Sequence, residues 1–230
     1  MPVDLTEVVE PTKLVEPVET IATTGHLLAD VSRYYDAKLA EFGATPRGVD
    51  WNGAESQHAR FEQLATLFPA DAPFSVNDLG CGYGALVDFL ADRYTGFSYT
   101  GIDVAPGMVA AAREQHGATP GVRFVVAEAP DHPAEFGVAS GIFNVKQGGP
   151  DREWAAYIEA TLDALAATST RGFAFNCLTS YSDADRMRAD LYYADPCALF
   201  DRCKRRYSRH VALLHDYGLY EFTILVRYVG

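Results

Sequence analysis

Long apolar runs are missing from this sequence. None approaches the ~20 residues that a membrane-spanning helix needs, although 48% of the 230 residues are hydrophobic. Positive charge is scarce: 19 Lys and Arg stand against 31 Asp and Glu, a formal net charge of -12. Such a field repels nucleic acid, and no basic stripe rises above it. The local group Arg202, Lys204, Arg205, Arg206 and Arg209 is expected to be a solvated helix face or loop. Cysteines occur only at 81, 177, 197 and 203, with no CxxC and no Cys/His set at zinc spacing, which argues for no metal. Cys81 and Cys177 read as small buried residues. The opening residues are acidic and lack the basic start of a secretory signal. Together these features predict a cytoplasmic protein with no membrane or nucleic-acid partner. No internal repeat is visible.

What is present alternates. Residues 1–20, with Pro2, Pro11 and Pro17 among acids, predict an acidic tail or surface arm. Residues 21–70 predict a helical cap. Its first helix begins near Thr24 and carries Leu27, Leu28, Val31, Tyr34, Tyr35, Leu39 and Phe42 on one face, and its second spans 55–67. From 71 to 230 strands and helices take turns: strands at 74–78, 98–103, 122–127, 138–143 and 172–177, helices at 85–93, 107–115 and 153–167. This rhythm predicts an α/β fold, a three-layer Rossmann-like parallel sheet. Two further strand-like runs, 207–214 and 220–228, are joined by a short Gly-containing link, so one of them must run antiparallel to the rest. Residues 178–206 form an aromatic and polar insertion expected on the substrate side.

The most informative stretch is Asp78-Leu-Gly80-Cys81-Gly82-Tyr-Gly84, directly after the first strand. Glycines let the chain turn tightly and bring bare backbone against a ligand. The acid in front suits a cationic ligand group and disfavours a pyrophosphate. Gly80, Gly82 and Ala85 also match the dinucleotide fingerprint loosely, which keeps an NAD-dependent oxidoreductase as an alternative, beside a non-catalytic module that only binds the cofactor. Asp103 closes the second strand, where an acid accepts hydrogen bonds from ribose hydroxyls, and Glu128 ends the third.

Together with Tyr99-Thr-Gly-Ile-Asp103, Met108, Val122-Arg-Phe-Val-Val-Ala-Glu128 and the closing hairpin, this stretch resembles the class I S-adenosylmethionine-dependent methyltransferases. The resemblance implies seven strands with the last antiparallel, and S-adenosyl-L-methionine as cofactor, leaving as S-adenosyl-L-homocysteine. It implies that Gly80, Cys81, Gly82 and Gly84 pass under the methionyl part and that Asp78 lies near its amino-acid end. Asp103 would hold the ribose, Val104 and Met108 would sandwich the adenine, and Glu128 and Ala129 would face its amino edge. Ser140 and Gly141 would line the cofactor opposite the glycine loop.

Ligands in open α/β sheets bind beyond the carboxyl ends of the strands. That address nominates Asn144, Lys146 and Tyr193 as catalytic groups and Asn176 and Tyr192 as substrate contacts. The helical cap is expected to add Tyr34, Tyr35 and Trp51 to the substrate side, with Gln57 nearby and Arg60 pairing with the cofactor carboxylate. Its Tyr and Trp content suggests an aromatic or cationic small molecule, methylated at N or O.

Overall fold

The computed structural model describes residues 21–228; the acidic stretch 1–20 lies outside them. Helix α1 spans Ile21–Phe42 and α2 spans Ala54–Ala65, with one 3-10 turn, Pro46–Val49, between them. The alternating part follows: β1 Phe74–Leu79, α3 Ala85–Arg93, β2 Phe97–Asp103, α4 Pro106–His116, β3 Val122–Val126, β4 Ala134–Ala139, α5 Asp151–Ala167 and β5 Ser169–Leu178. Helix α6, Pro196–Arg206, leads into β6 His210–Leu214 and β7 Glu221–Arg227.

The strands form one seven-stranded sheet in the order β3-β2-β1-β4-β5-β7-β6. β7 inserts antiparallel between β5 and β6, and the other neighbouring pairs are parallel. The antiparallel member expected from the closing hairpin is therefore β7. The chain winds outward from β1 to β3 and then restarts on the other side of β1 with β4. Strand order thus reverses between β1 and β4, where the connections diverge and leave a crevice at the strands' carboxyl ends.

Both sheet faces are buried. Phe61, Leu64, Phe74, Val76, Leu90 and Phe136 belong to one apolar layer. Leu27, Val31, Trp154, Ile158, Phe173 and Ile224 belong to the other. Leu64, Leu90, Phe173 and Ile224 are completely covered, and each such side chain contributes about 1.5–3 kcal/mol.

Two elements differ from expectation. The fourth strand runs over Ala134–Ala139 rather than 138–143, in register with β1 through Val76↔Phe136 and Asp78↔Val138. Gly141 then takes φ +78°, which ends the extended run. Ile142 and Phe143 are apolar because the turn beyond the strand is buried, with Trp154 Nε1 donating to the Phe143 carbonyl at 2.8 Å. The second difference is α6, a helix inside the segment 178–206. Asp195 caps it by accepting from Cys197 N at 2.8 Å and Ala198 N at 3.1 Å, and Pro196 opens its first turn, a start signal that is readable in the sequence. Its Leu199, Phe200 and Cys203 join the sheet's apolar layer. Its cations pair locally, Arg202 with Glu159, Arg205 with Asp201 and Arg206 with Asp163, as a solvated face requires.

α1 reaches the core by polar contacts too. Ala105 precedes α4 without a capping side chain. Asp36 of α1 supplies the missing acceptor, receiving Gly107 N at 3.2 Å. A Cβ at Gly107 would stand 2.6 Å from that carboxylate oxygen.

Candidate active site

The glycine loop is held by the neighbouring strand. Gly80 N and Cys81 N both donate to the Ile102 carbonyl, at 2.7 and 3.1 Å. Gly80, Gly82 and Gly84 all have positive φ, where a side chain is strained. A Cβ at Gly80 would sit 1.9 Å from Ile142 Cγ2, and one at Gly82 would sit 2.9 Å from Val49 Cγ1. Gly80→Ala is therefore expected to cost about 1–3 kcal/mol of stability and to distort the loop. A thermal melt together with a titration by S-adenosylhomocysteine checks both effects, and an unchanged protein would refute the tight approach.

Two carboxylates end their strands beside this loop. Asp103 accepts from Gly82 N through Oδ2 and from Ala105 N through Oδ1, each at 2.9 Å. Burial pushes its pKa up, against those two backbone donors, which pull it down. Asp78 accepts from Tyr99 OH at 2.6 Å. Burial raises its pKa to about 7, Asp103's charge adds to the rise, and the tyrosine hydroxyl opposes it. An acid that titrates near neutrality is poised to lose its proton when a cation arrives.

These groups line a cleft of about 880 Å³, part of it open to solvent. Of the residues nominated for the cofactor, Asp78, Gly80, Cys81, Gly82, Asp103, Val104, Met108, Glu128, Ser140 and Gly141 line it, and of those nominated for the substrate, Tyr35 and Trp51 do. Gly84 sits behind the loop, where a Cβ would meet His116 and Phe124. Ala129 is exposed beside the cleft. The cap closes over the opening: Val49 and Trp51 come from the linker before α2, and Tyr83 OH donates to Gln57 Oε1 of α2 at 3.1 Å.

The other nominated residues have different addresses. Asn144 is buried with its amide already engaged, Oδ1 receiving Leu178 N at 3.0 Å and Nδ2 reaching Glu221 Oε1 at 3.4 Å. Lys146 pairs with Asp151, and Tyr193 OH accepts from Arg188 N at 2.9 Å. Asn176 holds the cleft wall from behind, its Oδ1 accepting from Gly141 N at 2.7 Å. Tyr192 packs into the apolar layer, and its N–H donates to the Asn144 carbonyl at 2.8 Å. Tyr34 OH donates to Asp50 Oδ2 at 2.8 Å. Arg60 is spent on Glu221 through two hydrogen bonds, so its charge is matched within the protein. None of these seven lines the cleft.

Sequence reading missed Leu28, Val31, Val49, Phe61 and Tyr157 among the residues that line the cleft. Tyr157 lies in an amphipathic helix, where an aromatic reads as core. Burial raises its pKa to about 12, so it stays a neutral phenol. Among the described residues no group of three or more His, Cys, Asp or Glu is placed to hold a metal ion. No described helix is long and apolar enough to cross a membrane.

Residues 76–167 match the profile of a methyltransferase domain. A Mycobacterium tuberculosis protein named as a methyltransferase is 66% identical over 155 residues, covering 67% of this chain and 93% of that relative. The chain belongs to the class I S-adenosylmethionine-dependent methyltransferases. With the family shown, the nicotinamide alternative falls away. Trans-aconitate 2-methyltransferase of Methylobacterium nodulans is 30% identical over 136 residues, and this chain spans about half of that relative, 47% of its length. Among solved structures, DhpI in complex with SAM and HEP superposes with a TM-score of 0.61 at 19% identity, over 89% of this chain and 100% of that one. Human N-acetylserotonin methyltransferase with SAM gives 0.60 at 16%, over 94% of this chain and 63% of that one. At these identities the likeness is one of fold.

The residues present in this methyltransferase fit the cofactor. Glycines bare the backbone where a Cβ would collide, carboxylates stand at the ends of β1 and β2, and Val104 and Met108 provide apolar surface beside Glu128.

Proposed function

We propose that the chain transfers a methyl group from S-adenosylmethionine to a nitrogen or oxygen of a small molecule that is neutral or cationic and bears a ring. The observation that carries this reading is the make-up of the cleft. Trp51, Tyr35, Phe61, Tyr83 and Tyr157 supply its aromatic surface, and the charged groups among its described lining are the carboxylates Asp78, Asp103 and Glu128. Rings of this kind attract both aromatic and cationic ligands. An anionic acceptor such as aconitate, named for the relative above, would find no Lys or Arg among the described lining residues, while Arg60 stays engaged by Glu221.

When bound, S-adenosylmethionine supplies a carbon already activated by positive sulfur. The chain's own task is then alignment and exclusion of water, which is worth several kcal/mol. Asp103 would hold the ribose, Asp78 would attend the amino end, and Val104 with Met108 would flank the adenine. Gly80 and Gly82 would let the backbone approach, and the apolar side chains of α1 and α2 would cover the reacting atoms. A neutral amine acceptor needs no base, whereas a hydroxyl must lose its proton.

Asp103→Ala is expected to weaken binding of S-adenosylhomocysteine by about tenfold or more, since a buried charged acceptor contributes about 1.5–3 kcal/mol. Calorimetry measures this directly, and unchanged affinity removes Asp103 from the ribose site. Incubation with isotope-labelled S-adenosylmethionine and separate pools of amines, phenols, sugars and carboxylic acids tests the acceptor class. Label entering only the carboxylic acids overturns the reading.

A further inference from the structure

Behind the wall of the cleft lies a buried charge pair. Arg60 of α2 donates to Glu221, the first residue of β7, from Nε to Oε2 at 2.7 Å and from Nη2 to Oε1 at 2.6 Å. Its remaining nitrogen, Nη1, donates to the Ser56 carbonyl at 2.6 Å. The two side chains are only 7% and 2% exposed. Desolvating such a pair is costly, and apolar residues of similar volume often stabilise a fold as well or better. Stability alone is therefore a weak reason for the pair. What it touches supplies a better one. The guanidinium carbon lies 3.8 Å from the centroid of the Trp51 ring, and Trp51 lines the cleft. The outer edge of the ring rests on Gly141, where a Cβ would stand 2.3 Å from Cη2 and 2.4 Å from Cζ2. The stack on Arg60 and the close approach to Gly141 set the plane of the ring.

We propose that Glu221 is a positioning residue for methyl transfer: by fixing Arg60 against Trp51, it holds the indole as a rigid wall of the cleft beside Gly141 and the glycine loop. The same carboxylate reaches the opposite side of the wall. Asn144 Nδ2 approaches Glu221 Oε1 at 3.4 Å, and Asn144 Oδ1 receives Leu178 N at 3.0 Å. One anion at the start of β7 thus sets the linker before α2 against the turn after β4. A planar ring held there presents a flat apolar surface and keeps water from the reacting carbon, while the arginine charge faces the protein. The inference rests on the cleft's being the site of methyl transfer.

The test uses two isosteric or neutral variants and S-adenosylhomocysteine as the probe. Glu221→Gln keeps the shape of the side chain and removes its charge. Arg60→Met with Glu221→Gln removes both charges, so the fold carries no unpaired buried ion even if the single variant is unstable. Protein labelled with 5-fluorotryptophan gives two fluorine resonances, one per tryptophan, and loss of a signal in Trp51→Phe assigns them. The Trp51 resonance is expected to shift or broaden in both variants while that of the fully buried Trp154 stays in place. Affinity for S-adenosylhomocysteine is expected to fall about fivefold, and the fall is expected to vanish when Trp51 is already Ala, the sign of action through one shared contact. A stationary Trp51 resonance in the charge-free variant overturns the proposal. So does an additive loss in the Trp51→Ala background, or tighter binding from an Arg60 freed to meet the cofactor carboxylate. If the unmodified protein does not bind S-adenosylhomocysteine, the reading of the cleft itself fails, a result separate from these.

Discussion

Asp78→Asn is expected to stabilise the cofactor-free protein at pH 8 and to weaken its hold on S-adenosylmethionine at the same pH. The carboxyl is buried at the end of β1, and its pKa is raised from 3.8 to about 7. A folded-state pKa above the unfolded value means that the native protein binds more protons between those limits. Stability is then greatest below pH 4 as far as this group is concerned, falls as pH rises through the window, and levels off above 7. At about 1.4 kcal/mol for each pH unit between the two limits, ionising Asp78 in the fold costs about 4 kcal/mol at most. Asparagine keeps an acceptor for Tyr99 OH and removes the ionisation. Its melting temperature is expected to exceed that of the wild type at pH 8, with the gap closing toward pH 4.

Cofactor binding carries the opposite sign. A cationic ligand favours the ionised acid, so binding expels the proton, and wild-type affinity is expected to fall by about tenfold for each pH unit below 7. The Asn variant should show weak binding with little of this slope. Calorimetry at pH 5.5 and 7.5 decides, and parallel profiles for the two proteins would remove Asp78 from the site of positive charge.

Arg60→Ala is expected to be among the most destabilising single changes in the molecule. It strands Glu221, 2% exposed, without its counter-charge, and breaking a buried pair from one side typically costs about 3–5 kcal/mol. For a chain of this length that corresponds to roughly 10 °C in melting temperature. Arg60→Met combined with Glu221→Gln should recover much of the loss, because no uncompensated ion remains. A single variant that melts within a degree or two of the wild type would show that water reaches the pair.

The side of the cleft built by the glycine loop and the strand-end acids was legible because its requirements are local. A chain that turns at positive φ needs glycine, so Gly80, Gly82 and Gly84 announce themselves, and an acid at the end of a strand marks the carboxyl edge of the sheet. The seven strands with one reversed member were legible for the same reason: the alternation and the final hairpin are both written in contiguous residues. The side under the helical cap was legible only in part, through Tyr35 and Trp51, since it is built by approach across the chain. Val49 reaches the cleft only because α1 and α2 fold over it, and Tyr157 obeys the same amphipathic spacing as its purely packed neighbours Trp154 and Ile158. Asn144 had the right address after β4, but its amide is consumed by the ends of β5 and β7. The shift of β4 has a similar origin. Ile142 and Phe143 are as apolar as strand residues, and burial of a turn rewards that composition equally.

The carboxylate of Asp36 joins two walls of the cleft, α1 and the start of α4. It closes the first turn of α4 from a different helix, and Met108 stands in that same turn. The helix that covers the cleft is thus tied by a hydrogen bond to the turn that walls it, and a change at Asp36 is felt on both sides.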